Sequence, residues 1–115
     1  MQNLDYFKEI NIAVTICDAQ GMIVYMNEKS KLTFKSDGGE NSIGKSVFDC
    51  HSQLSKDKIH FLMNTMSSNT YTIEKKGVKK MIIQAPWYDS GNPAGLIELS
   101  IELPSNIPHF DRDKK

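Results

Sequence analysis

Alternation of apolar and polar residues over positions 79–103 predicts two strands joined by a tight connection. Every odd position in 97–103 is apolar and every even position is polar, a period typical of a half-buried strand. The odd positions of the run 81–87 are also apolar and share one face, with Lys80, Gln84 and Tyr88 on the other. The segment DSGNP at 89–93 has the composition of a turn. Because a hairpin alone is not stable in water, we expect the rest of the chain to extend this sheet and to cover its apolar face.

The first part of the chain predicts a second hairpin and a short helix. The β-branched run 12–17 and the apolar run 22–26 flank a turn of sequence DAQG. Asn27 follows at a position typical of a helix N-cap, which predicts a helix over 28–34.

A longer helix is predicted in the middle of the chain. Its apolar residues fall at i, i+3, i+4 and i+7, namely Ile59, Leu62, Met63 and Met66. Ser52 or Ser55 is expected to cap its start, and the alternating run 71–75 predicts one more strand after it.

This order of elements predicts an α+β fold in a chain whose 115 residues suit one domain. We expect a five-stranded antiparallel sheet in the order 2-1-5-4-3 with the helices on one face. The expected division is a short N-terminal helix over 1–11, the domain over 12–103, and a C-terminal tail over 104–115 that contains proline.

Composition narrows the classes of partner and the compartment. Lys and Arg together equal Asp and Glu in number, at 14 each, which argues against a nucleic-acid or membrane-surface binder. No apolar run has the length of a membrane span, and the N-terminus lacks the pattern of a signal peptide. With two cysteines and no disulfide framework, a cytoplasmic location is expected. The basic cluster Lys75, Lys76, Lys79 and Lys80 is interpreted as a solvated hairpin turn rather than a phosphate site.

Several local motifs, in this order and spacing, resemble the PAS domain family. The segment 17–21 resembles the turn between the first two PAS strands, and 25–28 resembles the strand end before an Asn-capped helix. The segment IGKSV at 43–47 resembles the family's hydrophobic–Gly–basic motif before its long helix, and 87–95 resembles the penultimate hairpin. The resemblance covers residues 4–103 and implies a sensory or protein-interaction module in signal transduction, not an enzyme.

The sequence departs from the PAS pattern at two places. Cys50 and His51 match a Cys-His-Pro triplet of one PAS sub-group, but Ser52 replaces the proline. At the end of the last strand, Leu103 and Pro104 replace the usual entry into an output helix, because proline does not continue a helix cheaply. We therefore expect a stand-alone module without its own output domain.

The resemblance implies a pocket between the sheet and the helices for a small apolar or mixed-polarity ligand. The residues predicted to line it are Ile16, Phe48, Ile59, Leu62, Met63, Met66, Ile83, Ala85 and Leu99, with His51 at its mouth. Ile82, Tyr88 and Leu96 are assigned to the outer face of the sheet, where they and the N-terminal helix favour a homodimer or a signalling-protein partner.

Two alternative functions stay open. His51 supports a haem-binding sensor, although a histidine there also suits a helix cap; His60 falls on the polar face of its helix and is expected to be exposed. Flavin photochemistry is disfavoured because the residues around Cys50 do not keep the flavin-reactive motif, and the dispersed Cys and His residues show no metal-site spacing. The second alternative is a small α+β enzyme with an apolar substrate, which needs an ionisable group at the pocket, although no catalytic motif is present.

Overall fold

The structure, a computed structural model, describes residues 5–34, 39, 43–46 and 56–113. Its elements in these ranges are a 3₁₀ helix over Asp5–Phe7, β1 over Ala13–Asp18, β2 over Ile23–Met26, α1 over Glu28–Thr33, α2 over Lys56–Thr65, β3 over Asn69–Lys75, β4 over Val78–Asp89 and β5 over Asn92–Glu102. Each predicted strand is present, and each boundary lies within a few residues of its predicted position.

The strands form one antiparallel sheet in the order β2-β1-β5-β4-β3. This order confirms the predicted α+β arrangement, in which the first and last strands of the chain are neighbours in the centre. The proposed division of the chain at residues 11 and 103 stays a prediction.

Each hairpin has a turn whose hydrogen bonds or backbone angles suit a tight connection. In the first turn, Asp18 Oδ1 accepts hydrogen bonds from the backbone N–H groups of Gln20 at 3.0 Å and Met22 at 2.9 Å. The turns at residues 76–77 and 90–91 each contain two residues, and all four have a positive φ, between 51° and 85°. Two consecutive positive φ angles are required by a type I′ turn, whose twist matches that of the flanking strands.

Asn27 joins three parts of the chain. It is buried at the N-terminus of α1, where its side-chain oxygen accepts from Ser30 N at 3.0 Å and from Val14 N at 2.9 Å. Its amide nitrogen donates to the carbonyl oxygens of Phe7 at 2.7 Å and Ile12 at 2.8 Å. The predicted N-cap is therefore confirmed, and the same side chain also fixes β1 and the segment before it.

Pro86 lies within β4, close to an irregularity in the pairing of that strand. β3 pairs with β4 only as far as Gln84, so Pro86 lies beyond that ladder. The register between β4 and β5 shifts between Trp87 and Tyr88. A proline is tolerated here because it follows the end of one ladder and precedes a bulge in the other.

The helices lie on one face of the sheet, and cross-strand contacts identify that face. Cys17 and Leu96 are partners in register and belong to the same buried cluster as Ile59 and Leu62 of α2. Directly opposed residues of an antiparallel pair point to the same side, and successive residues alternate. The residues on this helix-facing side of the sheet therefore include Thr15, Cys17, Asn69, Tyr71, Ile82, Gln84, Leu96, Glu98, Ser100 and Glu102.

The more apolar row of the sheet lies on the opposite side. By the same register it comprises Val14, Ile16, Met81, Ile83, Ala85, Ile97, Leu99 and Ile101. Val14 and Ile16 are buried in the chain, and the other six are half-buried. The prediction that this apolar row faces the helices is wrong, and the polar row of β4 and β5 takes that place instead.

Candidate functional site

Three polar side chains on the helix-facing side form a continuous hydrogen-bonded row, which we call the polar wall. Asn69 Nδ2 donates to Gln84 Oε1 at 3.0 Å, and Gln84 Nε2 donates to Glu98 Oε2 at 2.9 Å. A carboxylate only accepts hydrogen bonds, so Glu98 determines which end of the Gln84 amide it meets. Gln84 is 0% exposed and Asn69 and Glu98 are half-buried, so the centre of this wall lies inside the molecule and its two ends are partly accessible.

The polar character continues from Glu98 towards α1. Thr15 is the partner of Glu98 in register, and its hydroxyl is hydrogen-bonded to the hydroxyl of Ser30. Ser30 is the buried residue of α1, and it is 0% exposed. The first helix therefore approaches the sheet through hydroxyl groups, and these buried groups are satisfied by each other.

The opposite wall of this interior is apolar and comes from α2. Ile59 is 0% exposed, Leu62 is 3% exposed, and Met63 is half-buried against them. Lys58 of the same helix places Nζ 5.8 Å from the centroid of the Tyr71 ring, a cation–π distance. The interior thus has hydrogen-bonding groups on the sheet side and aliphatic groups on the helix side, which suits a ligand of mixed polarity.

Two ionisable side chains on this face are held in their neutral forms. Burial, and after it the charge of Glu98, raises the pKa of Tyr71 above its ordinary value, so the phenol stays a hydrogen-bond donor at neutral pH. Burial raises the pKa of Cys17 to about 11, and the charges of Asp18 and Glu98 add to the effect. Because the thiolate is the nucleophile, Cys17 is a poor candidate for covalent chemistry.

Three of the four residues predicted on the apolar face of α2 lie together where the sequence places them. Ile59, Leu62 and Met63 face the sheet and form the apolar wall of the interior. Their role in ligand binding stays a prediction.

Four predicted pocket residues lie on the wrong side of the sheet. Ile16, Ile83, Ala85 and Leu99 belong to the apolar row that faces away from α2. The prediction assumed that the more apolar row of an alternating strand faces the helices. That assumption fails here because the buried polar row satisfies its hydrogen bonds internally.

The sequence pattern also predicts the wrong position for Met66, because it extends the helix through this residue. α2 ends at Thr65, and Met66 has a φ of 51° and is 60% exposed. Ser67 N donates to Leu62 O at 3.1 Å across this residue, a bond typical of the Schellman motif at a helix end. The left-handed turn therefore rotates Met66 off the apolar face that the helical period assigned to it.

Other predicted residues have no structural description. Phe48, Cys50 and His51 lie outside the described ranges, so their predicted roles stay predictions. His60 is exposed on α2, as expected. Within the described part of the chain, no three His, Cys, Asp or Glu side chains come together as a metal site.

The residues proposed for a dimer interface need a correction. Ile82 is 6% exposed and Leu96 is 2% exposed, and both lie on the helix-facing side of the sheet. Their assignment to the outer face is therefore wrong. Tyr88 is 45% exposed, as expected.

Sequence reasoning missed the polar wall, although one signal for it was present. The register that places Gln84 directly opposite Glu98 is visible only in the structure, but the composition of α1 can be read from the sequence. The sequence of α1, EKSKLT, offers little apolar surface, and the residue it buries is Ser30. A helix that buries a serine requires a partly polar sheet beneath it.

Comparison with solved structures identifies the fold. A VqmA dimer from Vibrio cholerae matches with a TM-score of 0.68 and 18% identity over 90% of this chain and 52% of the other. A PAS domain from Colwellia psychrerythraea matches with a TM-score of 0.61 and 19% identity over 84% and 90%. The Aer2 receptor of Vibrio cholerae, described as a dual PAS-haem oxygen sensor, matches with a TM-score of 0.61 and 15% identity over 81% and 95%. The chain therefore has a PAS-like fold.

The comparisons of sequence found no match, in contrast to the comparison of structures. No protein-family model matches the chain, and no curated protein matches it. The chain spans about half, 52%, of the length of the VqmA chain that it matches. In the described part of the chain, no helix combines the length and apolarity needed to cross a bilayer.

Proposed function

We propose that this chain is a PAS-like sensory module that binds a small ligand of mixed polarity between the sheet and the helices. The observation that supports this proposal is the polar wall, in which Gln84 is 0% exposed and bridges Asn69 to Glu98 on the side of the sheet that α2 covers. These three groups satisfy one another, and because amide and carboxylate oxygens each accept more than one hydrogen bond, the same row also suits a polar group of a ligand.

The wall favours a ligand with a hydrogen-bond donor at one end and an apolar body. Glu98 supplies an acceptor, Tyr71 supplies a donor because its phenol stays protonated, and Ile59 and Leu62 supply an apolar surface. Among the structural neighbours, VqmA is described as bound to DPO. By analogy we propose occupancy by a small organic molecule in the corresponding part of this fold.

Binding rather than catalysis is the proposed role. The enzyme alternative required an ionisable group facing the interior, and Glu98 meets that requirement. Glu98 Oε2 accepts a hydrogen bond from Gln84 Nε2, however, which makes this carboxylate part of the polar wall, while Cys17 and Tyr71 keep their protons at neutral pH. A nucleophile needs a deprotonated thiol, and a phenol acts as a base only after it has lost its proton, so neither Cys17 nor Tyr71 is suited to catalysis.

Native mass spectrometry of the purified chain tests this proposal. We expect a co-purified small molecule in the wild type, and loss of it in Glu98→Leu, which removes the acceptor. Glu74→Leu is the matched control, because Glu74 is exposed and its register places it on the other side of the sheet. If neither native mass spectrometry nor a thermal-shift screen of small organic molecules finds a ligand, the proposal fails.

A second copy of the chain is the partner that we propose for the apolar row. This row covers the three strands β1, β5 and β4 without a charged residue, and its members on β4 and β5 are only half-buried. A formal net charge of +0 leaves little repulsion between copies. Sedimentation velocity is expected to show a dimer that Leu99→Glu dissociates. If the wild type is a monomer at micromolar concentration, the dimer proposal fails, and a different signalling protein becomes the expected partner of this face.

The haem alternative now depends on His51 alone. The histidines in the described ranges, His60 and His109, are both exposed, so neither fits an iron ligand inside the fold. An absorption spectrum of protein expressed with haem available tests the alternative. A Soret band that disappears in His51→Ala supports it, and no band, or an unchanged one, excludes it.

A further inference from the structure

A cleft lies at the far end of the helix-facing side, between α1 and the β3–β4 hairpin. Its volume is about 320 Å³, at the lower end of the range for small-molecule sites. Glu102 lies four residues beyond Glu98 on β5, roughly 13 Å at the usual rise of a strand, so this cleft is separate from the polar wall. The cleft is lined by Lys29, Leu32, Thr33, Lys75, Lys76, Val78, Lys80 and Glu102.

The cleft concentrates positive charge in a chain that is neutral overall. Four lysines and one glutamate line it, against a formal net charge of +0 for the whole sequence. Glu102 Oε2 lies 3.4 Å from Lys29 Nζ, so its charge offsets that of one of the four lysines. Within the described ranges, no carboxylate forms an ion pair with Lys75 or Lys76, which leaves the hairpin side of the cleft basic.

Lys76 occupies a backbone conformation that disfavours its own residue type. It is the first residue of the type I′ turn and has a φ of 51°, where Asn, Asp or Gly is preferred. Ser90 has a similar φ of 53° in the β4–β5 turn, which makes it a matched reference for Lys76. The Lys76 side chain is one of the four amines that line the cleft.

The cleft also has an apolar side. Leu32 of α1 is 69% exposed and Val78 of β4 is 40% exposed, and both line it. Exposed aliphatic side chains beside converging amines suit a ligand with an anionic group and a carbon skeleton, rather than a free inorganic ion.

We propose that this cleft is a second binding site, which takes a small organic molecule with a phosphate or a comparable multivalent anionic group. The proposal departs from the interpretation of the basic cluster as a solvated turn, because three of its four lysines line one cleft together with Lys29 of α1. Lys75, Lys76 and Lys80 hold the anionic group as point charges, and Leu32 and Val78 contact the remainder of the molecule. The site does not depend on the function proposed for the polar wall.

Titration of the ¹⁵N-labelled chain with pyrophosphate at constant ionic strength tests the anionic half of the site. We expect saturable shifts of the backbone amides at residues 75–80 and 29–33, and weaker binding as sodium chloride is added. Phenyl phosphate is the second probe, and it is expected to bind more tightly than inorganic phosphate because of the apolar side. Linear shifts without saturation for both probes would overturn the proposal.

Two matched variants separate the effect of the Lys76 amine from the effect of the turn conformation. Lys76→Asn suits the type I′ conformation and removes one amine, and its affinity for pyrophosphate is expected to fall about threefold, the magnitude of one exposed charge pair. Ser90→Asn makes the same kind of change in the β4–β5 turn and is expected to bind as the wild type does. Equal affinity in Lys76→Asn, Ser90→Asn and the wild type would contradict the assignment.

A further pair of variants tests whether the site is local. Lys75→Gln combined with Lys76→Asn is expected to weaken pyrophosphate binding about tenfold. The control combines Lys79→Gln with Lys45→Gln, which removes the same charge at exposed positions outside the cleft. An equal loss of pyrophosphate affinity in both double variants would mean that the lysines attract anions in general, and it would exclude a specific site in the cleft. Glu98→Leu is expected to leave pyrophosphate binding unchanged, which separates this test from that of the polar wall.

Discussion

Gly95 illustrates how single residues fix the sheet where the register shifts. Trp87 Nε1 donates a hydrogen bond to Cys17 O at 2.9 Å, which joins β4 to β1 across β5. Gly95 lies between them, and a Cβ atom at this position would overlap both the Cys17 carbonyl oxygen and the Trp87 ring nitrogen. The absence of a side chain here allows the indole to reach the central strand.

Gly95→Ala is therefore expected to destabilise the fold. Overpacking against a backbone carbonyl is not relieved by a change of rotamer, so we expect a loss of about 2–3 kcal/mol in the free energy of unfolding. Urea denaturation followed by Trp87 fluorescence measures it. A loss below about 0.5 kcal/mol would show that the close approach at this position is not required.

Cys17 gives the chain a pH dependence in the alkaline range. Its pKa is about 11 in the folded protein, raised by burial, against 9.0 as its ordinary value. As the pH rises past 9, the unfolded chain releases the thiol proton first, so the free energy of unfolding falls until the folded thiol also ionises. Tyr71 and Tyr25, whose pKa values burial also raises, act in the same direction at higher pH.

Denaturation between pH 8 and pH 10 in a Cys50→Ala background isolates this effect, because Cys17 is then the remaining cysteine. We expect a steeper loss of stability with Cys17 present than in the Cys17→Ala protein. Identical slopes would mean that the thiol ionises equally well in both states.

At the scale of elements, the β3–β4 hairpin carries a residue poorly suited to its turn. Lys76 has a φ of 51°, and asparagine accepts this conformation at lower cost. Lys76→Asn is expected to raise the free energy of unfolding by about 0.5–1 kcal/mol. Thermal denaturation in low-phosphate buffer checks it, and a lowered midpoint would show that the lysine side chain stabilises the hairpin itself.

Asn27 stabilises the joint between the first helix and the sheet. Its replacement by alanine leaves the backbone N–H groups of Val14 and Ser30 without their acceptor inside the protein. We expect Asn27→Ala to cost about 3 kcal/mol, which is a lost cap plus an unsatisfied buried donor. Asn64→Ala, on the exposed side of α2, is the control and is expected to change stability by less than about 0.5 kcal/mol.

For the whole molecule, the sequence predicts the order of the strands better than the side of the sheet that the helices cover. Alternation and turn chemistry are local, and they identify each strand, each tight turn and the Asn27 cap. Alternation also defines two faces, but it does not say which of them is covered. The usual rule assigns the apolar row of residues such as Ile83 and Leu99 to the helices, and that assignment is wrong here.

The reason that the polar row can lie under the helices is the energy of its hydrogen bonds. A polar row is tolerated under the helices only when its groups satisfy one another, and Asn69, Gln84 and Glu98 do so across three strands. Such a network depends on cross-strand register, which no short window of sequence contains. The end of α2 fails for a related reason, because nothing in the helical period reveals the left-handed conformation of Met66.

The proposed ligand lies against the polar wall and not against the apolar row. Intermolecular nuclear Overhauser effects between the co-purified ligand and the isotope-labelled chain distinguish these two positions. We expect contacts from the side-chain amides of Gln84 and Asn69 and from the methyl groups of Ile59 and Leu62. Contacts confined to the methyl groups of Ile83, Leu99 and the rest of the apolar row would contradict the proposed position of the ligand.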